Sequence, residues 1–184
     1  MPALHKRLFL AVALPEPVRT TLVALAQPLP GVAWTPPAQL HLTLRFLGDV
    51  PTGQIESLAT SLATVRVEPF LLPVESVGAF PPKRPPHVVW AGVGSGHPRL
   101  HQLRQRVDDA LLAAGLDLDV RTFHPHVTLA RCAENAAAAV GHWLHAHREF
   151  AAPPFRVDAF ALCASELRPE GATHTVQRRF PLTK

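Results

Sequence analysis

The tetrad His41-Leu42-Thr43-Leu44 recurs 85 residues later as His126-Val127-Thr128-Leu129. In a shuffled chain of this composition, two copies of His-x-Thr-Leu arise with odds on the order of one in two hundred. An imidazole with an unperturbed pKa of about 6.5 gives or takes a proton near neutral pH, and a Thr hydroxyl donates to a non-bridging phosphate oxygen. Residues two apart on a strand hold their Cβ atoms roughly 6 to 7 Å apart on one face, so both side chains reach one small anion. Two such pairs flanking a phosphodiester supply a base to deprotonate water and an acid to protonate the departing oxygen. That chemistry requires neither a metal nor a covalent intermediate.

Strands must present these groups. From Gln39 to Leu47 polar and apolar residues alternate, which predicts His41, Thr43 and Arg45 on one face and Leu40, Leu42, Leu44 and Phe46 on the other. Arg45 thereby joins His41 and Thr43 as a candidate contact to substrate. Pro125 favours an extended residue before it, and Val127 and Leu129 then oppose His126 and Thr128 in the same period of two. His124 shares the strand face of His126, where it either tunes that residue or serves structurally before Pro125.

Around these strands the pattern is mixed. Pro15 and Pro17 open a predicted helix through about Ala26, Thr52 with Glu56 starts another through about Val65, and further helices are expected from Pro98 to Ala114 and from Asn135 to His147. Strands are expected near residues 70 to 80, 87 to 93, 154 to 164 and 173 to 181. The run Leu8-Phe9-Leu10-Ala11-Val12-Ala13-Leu14 after Lys6 and Arg7 imitates a short signal peptide, but with 7 residues before Pro15-Glu16-Pro17 it reads better as a buried strand. This succession fits an α+β chain built from a duplicated two-lobed unit, with antiparallel sheets flanking a central groove and helices on the outer faces. A length of 184 residues with 47% hydrophobic content suits a single bilobal domain over 1–184.

Composition excludes several classes. No stretch approaches the roughly 18 apolar residues of a membrane span. Cys132 and Cys163 lack a C-x-x-C spacing, which suits a reducing, cytoplasmic setting, and Cys132, near the second motif, is expected as a buried free thiol. The net charge of +4 comes from 15 Arg against 3 Lys, and arginine's planar fork suits phosphate. His97 with His101 and His142 with His145 have helical spacing, yet no adjacent carboxylate or H-E-x-x-H pattern completes a metal site, so they are expected as exposed helix residues. No G-x-x-x-x-G-K loop or G-x-S-x-G elbow is present. No metal and no cofactor are expected. The Pro-rich segment Phe80 to Pro86, carrying Lys83 and Arg84, is expected as a stiff surface loop.

The segments LHLTLRFLG (residues 40 to 48) and FHPHVTLARC (residues 123 to 132) resemble the two His-x-Thr-x signatures of the two-histidine (2H) phosphoesterases, in particular the RNA 2',3'-cyclic phosphodiesterase or 2'-5' RNA ligase-like branch. The resemblance extends to KRLFLAVALPEPV at the start and LCASELRPEGATHTVQRRFPL at the end. It implies that His41 protonates the leaving 3' oxygen, that His126 activates water, and that Thr43 and Thr128 hold the phosphate. It further implies that the residues five beyond each histidine, Phe46 and Arg131, surround the nucleoside. Strict alternation points both away from the cleft, so a strand end or bulge must intervene. This chain has His174 where the family often has an aromatic residue such as Tyr, and it contains no Tyr.

Two functions follow as expectations. One is metal-independent hydrolysis of RNA 2',3'-cyclic phosphate ends to 2'-phosphomonoesters, with weak reversible 2'-5' joining, by a monomer with no membrane partner. The other is a non-catalytic module that binds phosphorylated RNA ends or nucleotides, although binding alone has no use for two titrating groups.

Overall fold

The computed structural model describes residues 4–82, 85–119, 122–168 and 171–184. Lys83 and Arg84 lie outside the described residues, as do Pro169 and Glu170. In chain order the elements are β1 (His5–Ala13), α1 (Glu16–Val23), β2 (Val32–Trp34), β3 (His41–Pro51), α2 (Ile55–Leu62), β4 (Phe70–Phe80), β5 (Val88–Val93), α3 (Pro98–Ala113), β6 (His126–Cys132), α4 (Ala137–Ala146), β7 (Ala151–Val157), β8 (Ala159–Arg168) and β9 (Gly171–Pro181).

The strands pair antiparallel in the order β7-β4-β5-β6-β3-β1-β8-β9, with β2 added to β6. Outward from the centre, β6, β5, β4 and β7 form one half and β3, β1, β8 and β9 the other. Each half carries one His-Thr tetrad on its innermost strand. The halves meet where Leu42 pairs with Val127, both of them fully buried. The duplicated α+β arrangement expected from the tetrads is therefore present, as two halves of one sheet.

The sequence pattern explains most of this order. The run from Leu8 to Val12 is buried on both faces because Leu8, Leu10 and Val12 enter the main core while Phe9 and Ala11 pack with Ala161 and Cys163 of β8 on the other side. Proline in the first turn opens α1 and α3, where its missing N–H is no loss. Leu42 and Leu44 join Leu58 and Leu62 of α2 and Leu103, Val107 and Leu111 of α3 in one core, which also takes Val140 and Trp143 of α4. This burial fixes which face of β3 points inward. No described helix is long and apolar enough to cross a membrane.

Three elements differ from expectation. The helix predicted to reach Ala26 stops at Val23, because the amides of Leu25 and Ala26 turn back to the carbonyls of Leu22 and Val23, three residues behind, and tighten the last turn. The single strand predicted over 154 to 164 is two. Asp158 separates β7, at the edge beside β4, from β8, beside β1, so the chain crosses there from one half-sheet to the other. The three-residue β2 was not expected, since it is too short for alternation to register.

Gly78 of β4 pairs with Trp90 of β5, and a Cβ at Gly78 would stand 2.2 Å from Trp90 Cζ2. The bare backbone lets the indole lie across the strand, where it backs His126 with ring centroids 6.4 Å apart. Gly78→Val should therefore displace the indole and destabilise the protein by about 1–3 kcal/mol, read as a lower midpoint in urea unfolding with an unchanged slope.

Candidate active site

Both tetrads end in a β-bulge at the same place. In the β1–β3 ladder Leu10 pairs with Arg45 and Ala11 with Thr43, leaving Leu44 extra. In the β5–β6 ladder Val89 pairs with Ala130 and Trp90 with Thr128, leaving Leu129 extra. The burial sequence from His41 to Leu47 is repeated residue for residue from His126 to Cys132. One extra residue reverses the alternation beyond it. Phe46 and Arg131 thus turn onto the cleft side, with Phe46 68% exposed.

The same bulge overturns the expectation for Arg45. Its side chain is only 8% exposed and points into the interior, away from the cleft. There its Nε and Nη2 donate to the two carboxylate oxygens of Asp108 at 2.9 and 2.8 Å, and Nη1 donates to Asp119 Oδ1 at 2.7 Å. Alternation read straight through the bulge assigned Arg45 the wrong face.

The two histidines are held alike. His41 Nδ1 donates to the carbonyl of Gln39 at 2.6 Å, and His126 Nδ1 to the carbonyl of His124 at 2.6 Å. A carbonyl only accepts, so the proton sits on Nδ1 in the neutral ring and leaves Nε2 to exchange protons. Extending the Leu42–Val127 pairing by one residue each way sets His41 opposite Thr128 and Thr43 opposite His126. Each imidazole therefore has a Thr beside it on its own strand and another across from it.

Aromatic rings back each histidine, differently in the two halves. His41 rests against Phe9 at 5.0 Å and meets His174 edge-on at 5.1 Å. His126 meets Phe80 edge-on at 5.2 Å, with His124 at 5.9 Å. Burial among these rings disfavours the charged imidazole. It lowers His41 to about 4 despite the helpful Gln39 carbonyl, and positive charge on His174 or His126 lowers it further. Burial also lowers His126, with a contribution from His124, and lowers His174.

A cleft of about 380 Å³ opens over this surface. His41, Thr43, Phe46, Thr128 and Arg131 line it, while His126 is not on its wall. His174 and Gln39 were not expected among the lining residues, and the side-chain amide of Gln39 donates to the carbonyl of Ala172, two residues before His174. The available signal for Gln39 was positional: it stands two before His41 as His124 stands two before His126. His97 is not the helix residue its spacing suggested, since it precedes α3 and stacks on Phe70 at 5.3 Å. Among the described residues no three His, Cys, Asp or Glu side chains are grouped to hold a metal. Cys132 and Cys163 are free; Cys132 is only half-buried, not buried as expected, and burial raises both thiols, Cys163 to about 11, which leaves them protonated at neutral pH.

A bilobal sheet with one His-Thr pair per half defines a two-histidine phosphoester-cleaving architecture. The chain matches the family described as LigT like Phosphoesterase over residues 12–90 and 93–173, and belongs to it. It is 42% identical over 91 residues to an RNA 2',3'-cyclic phosphodiesterase of Aeropyrum pernix, an alignment covering 50% of this chain and 52% of that protein. It is 36% identical to the protein of the same name from Thermus thermophilus, over 96% of this chain and 90% of that one. The crystal structure of Escherichia coli LigT complexed with 3'-AMP superposes with a TM-score of 0.75 at 28% identity, over 98% of this chain and 99% of that one.

The lowered His41 links protonation to stability. The unfolded chain takes up this proton near 6.5 and the folded one only near 4, so the stability His41 contributes is full above 6.5 and is lost as pH falls toward 4. The Cε1 proton of His41 should titrate with a midpoint near 4 by NMR. His41→Gln should lose less thermal stability than wild type between pH 6.5 and 4.

Proposed function

We propose that this protein hydrolyses RNA ends carrying a 2',3'-cyclic phosphate to 2'-phosphomonoesters, by paired acid–base work of His41 and His126. The observation that carries the reading is that both imidazoles are fixed at Nδ1 by the carbonyl two residues behind, so that each keeps Nε2 for proton exchange on a strand whose next residue but one is a Thr. Two matched proton-transfer groups are what displacement at a phosphodiester requires.

In the reaction His126 Nε2 takes a proton from water as its oxygen bonds to phosphorus. The bond from phosphorus to the 3' oxygen breaks, and His41 Nε2–H delivers a proton to that oxygen. Thr43 and Thr128 hold the non-bridging oxygens, and Phe46 and Arg131 flank the nucleoside, to which an exposed ring and a guanidinium offer stacking and charge. The histidines finish with protons exchanged and return to the starting state through solvent. With a 5' hydroxyl in place of water, the same steps give weak 2'-5' joining: the 5' oxygen bonds to phosphorus as the bond to the 3' oxygen breaks. We place this work in one bilobal domain acting as a monomer in a reducing cytoplasm, on RNA ends or nucleotides of the same ester class.

Burial keeps both histidines below their ordinary range when the site is empty, so the form with one charged and one neutral ring is a minority at pH 7. The anionic phosphodiester offsets this by favouring a proton on its neighbour. The profile of kcat/KM against pH should be bell-shaped with both limbs below 6.5, and that of kcat should be displaced upward, since the first reports the free enzyme and the second the complex. With excess chelator and an oligonucleotide ending in a cyclic phosphate, wild type should release a 2'-phosphate, and His41→Ala or His126→Ala should be slower by about 10² to 10⁴. Full activity in either variant, or turnover abolished by the chelator, contradicts the mechanism.

A further inference from the structure

Each bulge leaves the carbonyl of its extra residue outside the ladder, and the two carbonyls are satisfied by different means. Leu129 O, in the second motif, accepts the amide of Thr35 at 2.8 Å, next to where β2 pairs with β6. Leu44 O, in the first, accepts a hydrogen bond from Arg104 Nη1 of α3. Arg104 also donates through Nε to both oxygens of Asp108, at 3.1 and 3.0 Å, the same carboxylate that receives Arg45. Arg45 continues to the carbonyl and carboxylate of Asp119, and the Arg104 guanidinium lies 5.0 Å from the ring centre of Phe123.

Asp119 and Phe123 belong to the segment between α3 and β6, which delivers His124 and His126. The group therefore touches the first motif at Arg45 and at the Leu44 carbonyl, and touches the approach to the second at Asp119 and Phe123. The position of Arg45 in the other half is taken by Ala130, fully buried and uncharged. Only the first half carries the charges, and it carries them where β3 and β6 have diverged from their single bridge.

We propose that Arg45, Arg104, Asp108 and Asp119 are positioning residues, a charged clasp that sets His41 and His126 at their working separation. The inference rests on the acid–base roles given above for these two histidines. The clasp touches no substrate. It acts by fixing the Leu44 bulge, and with it the strand that presents His41 and Thr43, against the segment that presents His126. The Arg45 guanidinium forked onto Asp108, with Arg104 Nε bridging the same two oxygens, allows little lateral play, which suits a spacer better than a flexible ammonium would.

The test uses Arg104→Gln, which removes the Leu44 and Asp108 contacts while leaving the Arg45–Asp108 pair, and Asp119→Asn, which loosens the outer end. Both are assayed well below their own melting temperatures, with kcat and KM separated and the imidazole resonances of His41 and His126 recorded. Displacing reacting groups by a fraction of an ångström should lower kcat by about 10- to 100-fold in Arg104→Gln and less in Asp119→Asn. KM should stay within about threefold and the pH limbs should not move, while both imidazole resonances shift. Wild-type kcat in folded Arg104→Gln, a loss confined to KM, displaced pH limbs, or a shift confined to His41 overturns the proposal. Should Arg104→Gln not fold, Asp119→Asn decides on the same readouts. If wild type itself does not turn over, the catalytic reading has failed and the paired resonance shifts still decide whether the clasp links the two histidines.

Discussion

The pairing of Leu42 with Val127 is the contact on which the site depends. It is the one point where β3 and β6 are in register, and both side chains are shut away from solvent at the junction of the two half-sheets. A side chain on a strand alternates with period two, so a slip of one residue would turn a His-Thr face into the core and a Leu face into the cleft. Burying Leu42 and Val127 makes that slip costly, and the register then sets each histidine against the threonine of the other motif. The apolar members of the tetrads are thus what aims the polar ones.

From that junction outward the halves are alike in backbone and unlike in side chains. The bulges at Leu44 and Leu129, the burial sequence and the carbonyl that fixes each Nδ1 are duplicated. The surroundings are not: His41 sits against Phe9 and His174, His126 against Phe80 and His124. A symmetric backbone gives two like histidine positions, and asymmetric packing makes their surroundings unequal. In the proposed reaction the acid and the base hold opposite protonation states at one pH, and unlike surroundings give the chain a means of separating them.

Much of this was readable in the sequence because strand alternation and repetition are local signals. His41, Thr43 and Thr128 reach the cleft where the repeated tetrads put them, and the need for a strand end or bulge before Phe46 and Arg131 followed from setting the period beside the places that the family resemblance gives them. Arg45 was misplaced because the period was continued through the residue at which it breaks; nothing in Leu44-Arg45-Phe46 marks an extra residue, since a bulge is set by what the neighbouring strand β1 requires. The partners Asp108 and Asp119 lie 63 and 74 residues away, and pairing at that distance leaves no trace in spacing. The division of 154 to 164 at Asp158 was hidden for a similar reason, since both pieces are extended and only topology assigns them to opposite halves. Gln39 and His124 contribute through their carbonyls, which every residue possesses, so their identity carried no signal.

On the acid–base roles proposed for His41 and His126, a proton donor is kept ready without being kept charged. Burial holds both imidazoles neutral, and a charged ring in this apolar bed would need a partner. Fixed Asp or Glu partners would supply one, but a carboxylate beside His41 would repel the phosphate that the site is there to bind. An anionic diester instead brings the stabilising charge with it, so that one ring becomes protonated as the substrate arrives, while the second stays neutral because two charged rings oppose each other. The acid is then created in the complex that needs it, and the aromatic lining that depresses the empty site strengthens the ion pair once formed. Carboxylates are indeed placed in this structure beneath the sheet, where Asp108 and Asp119 face Arg45 and not the cleft.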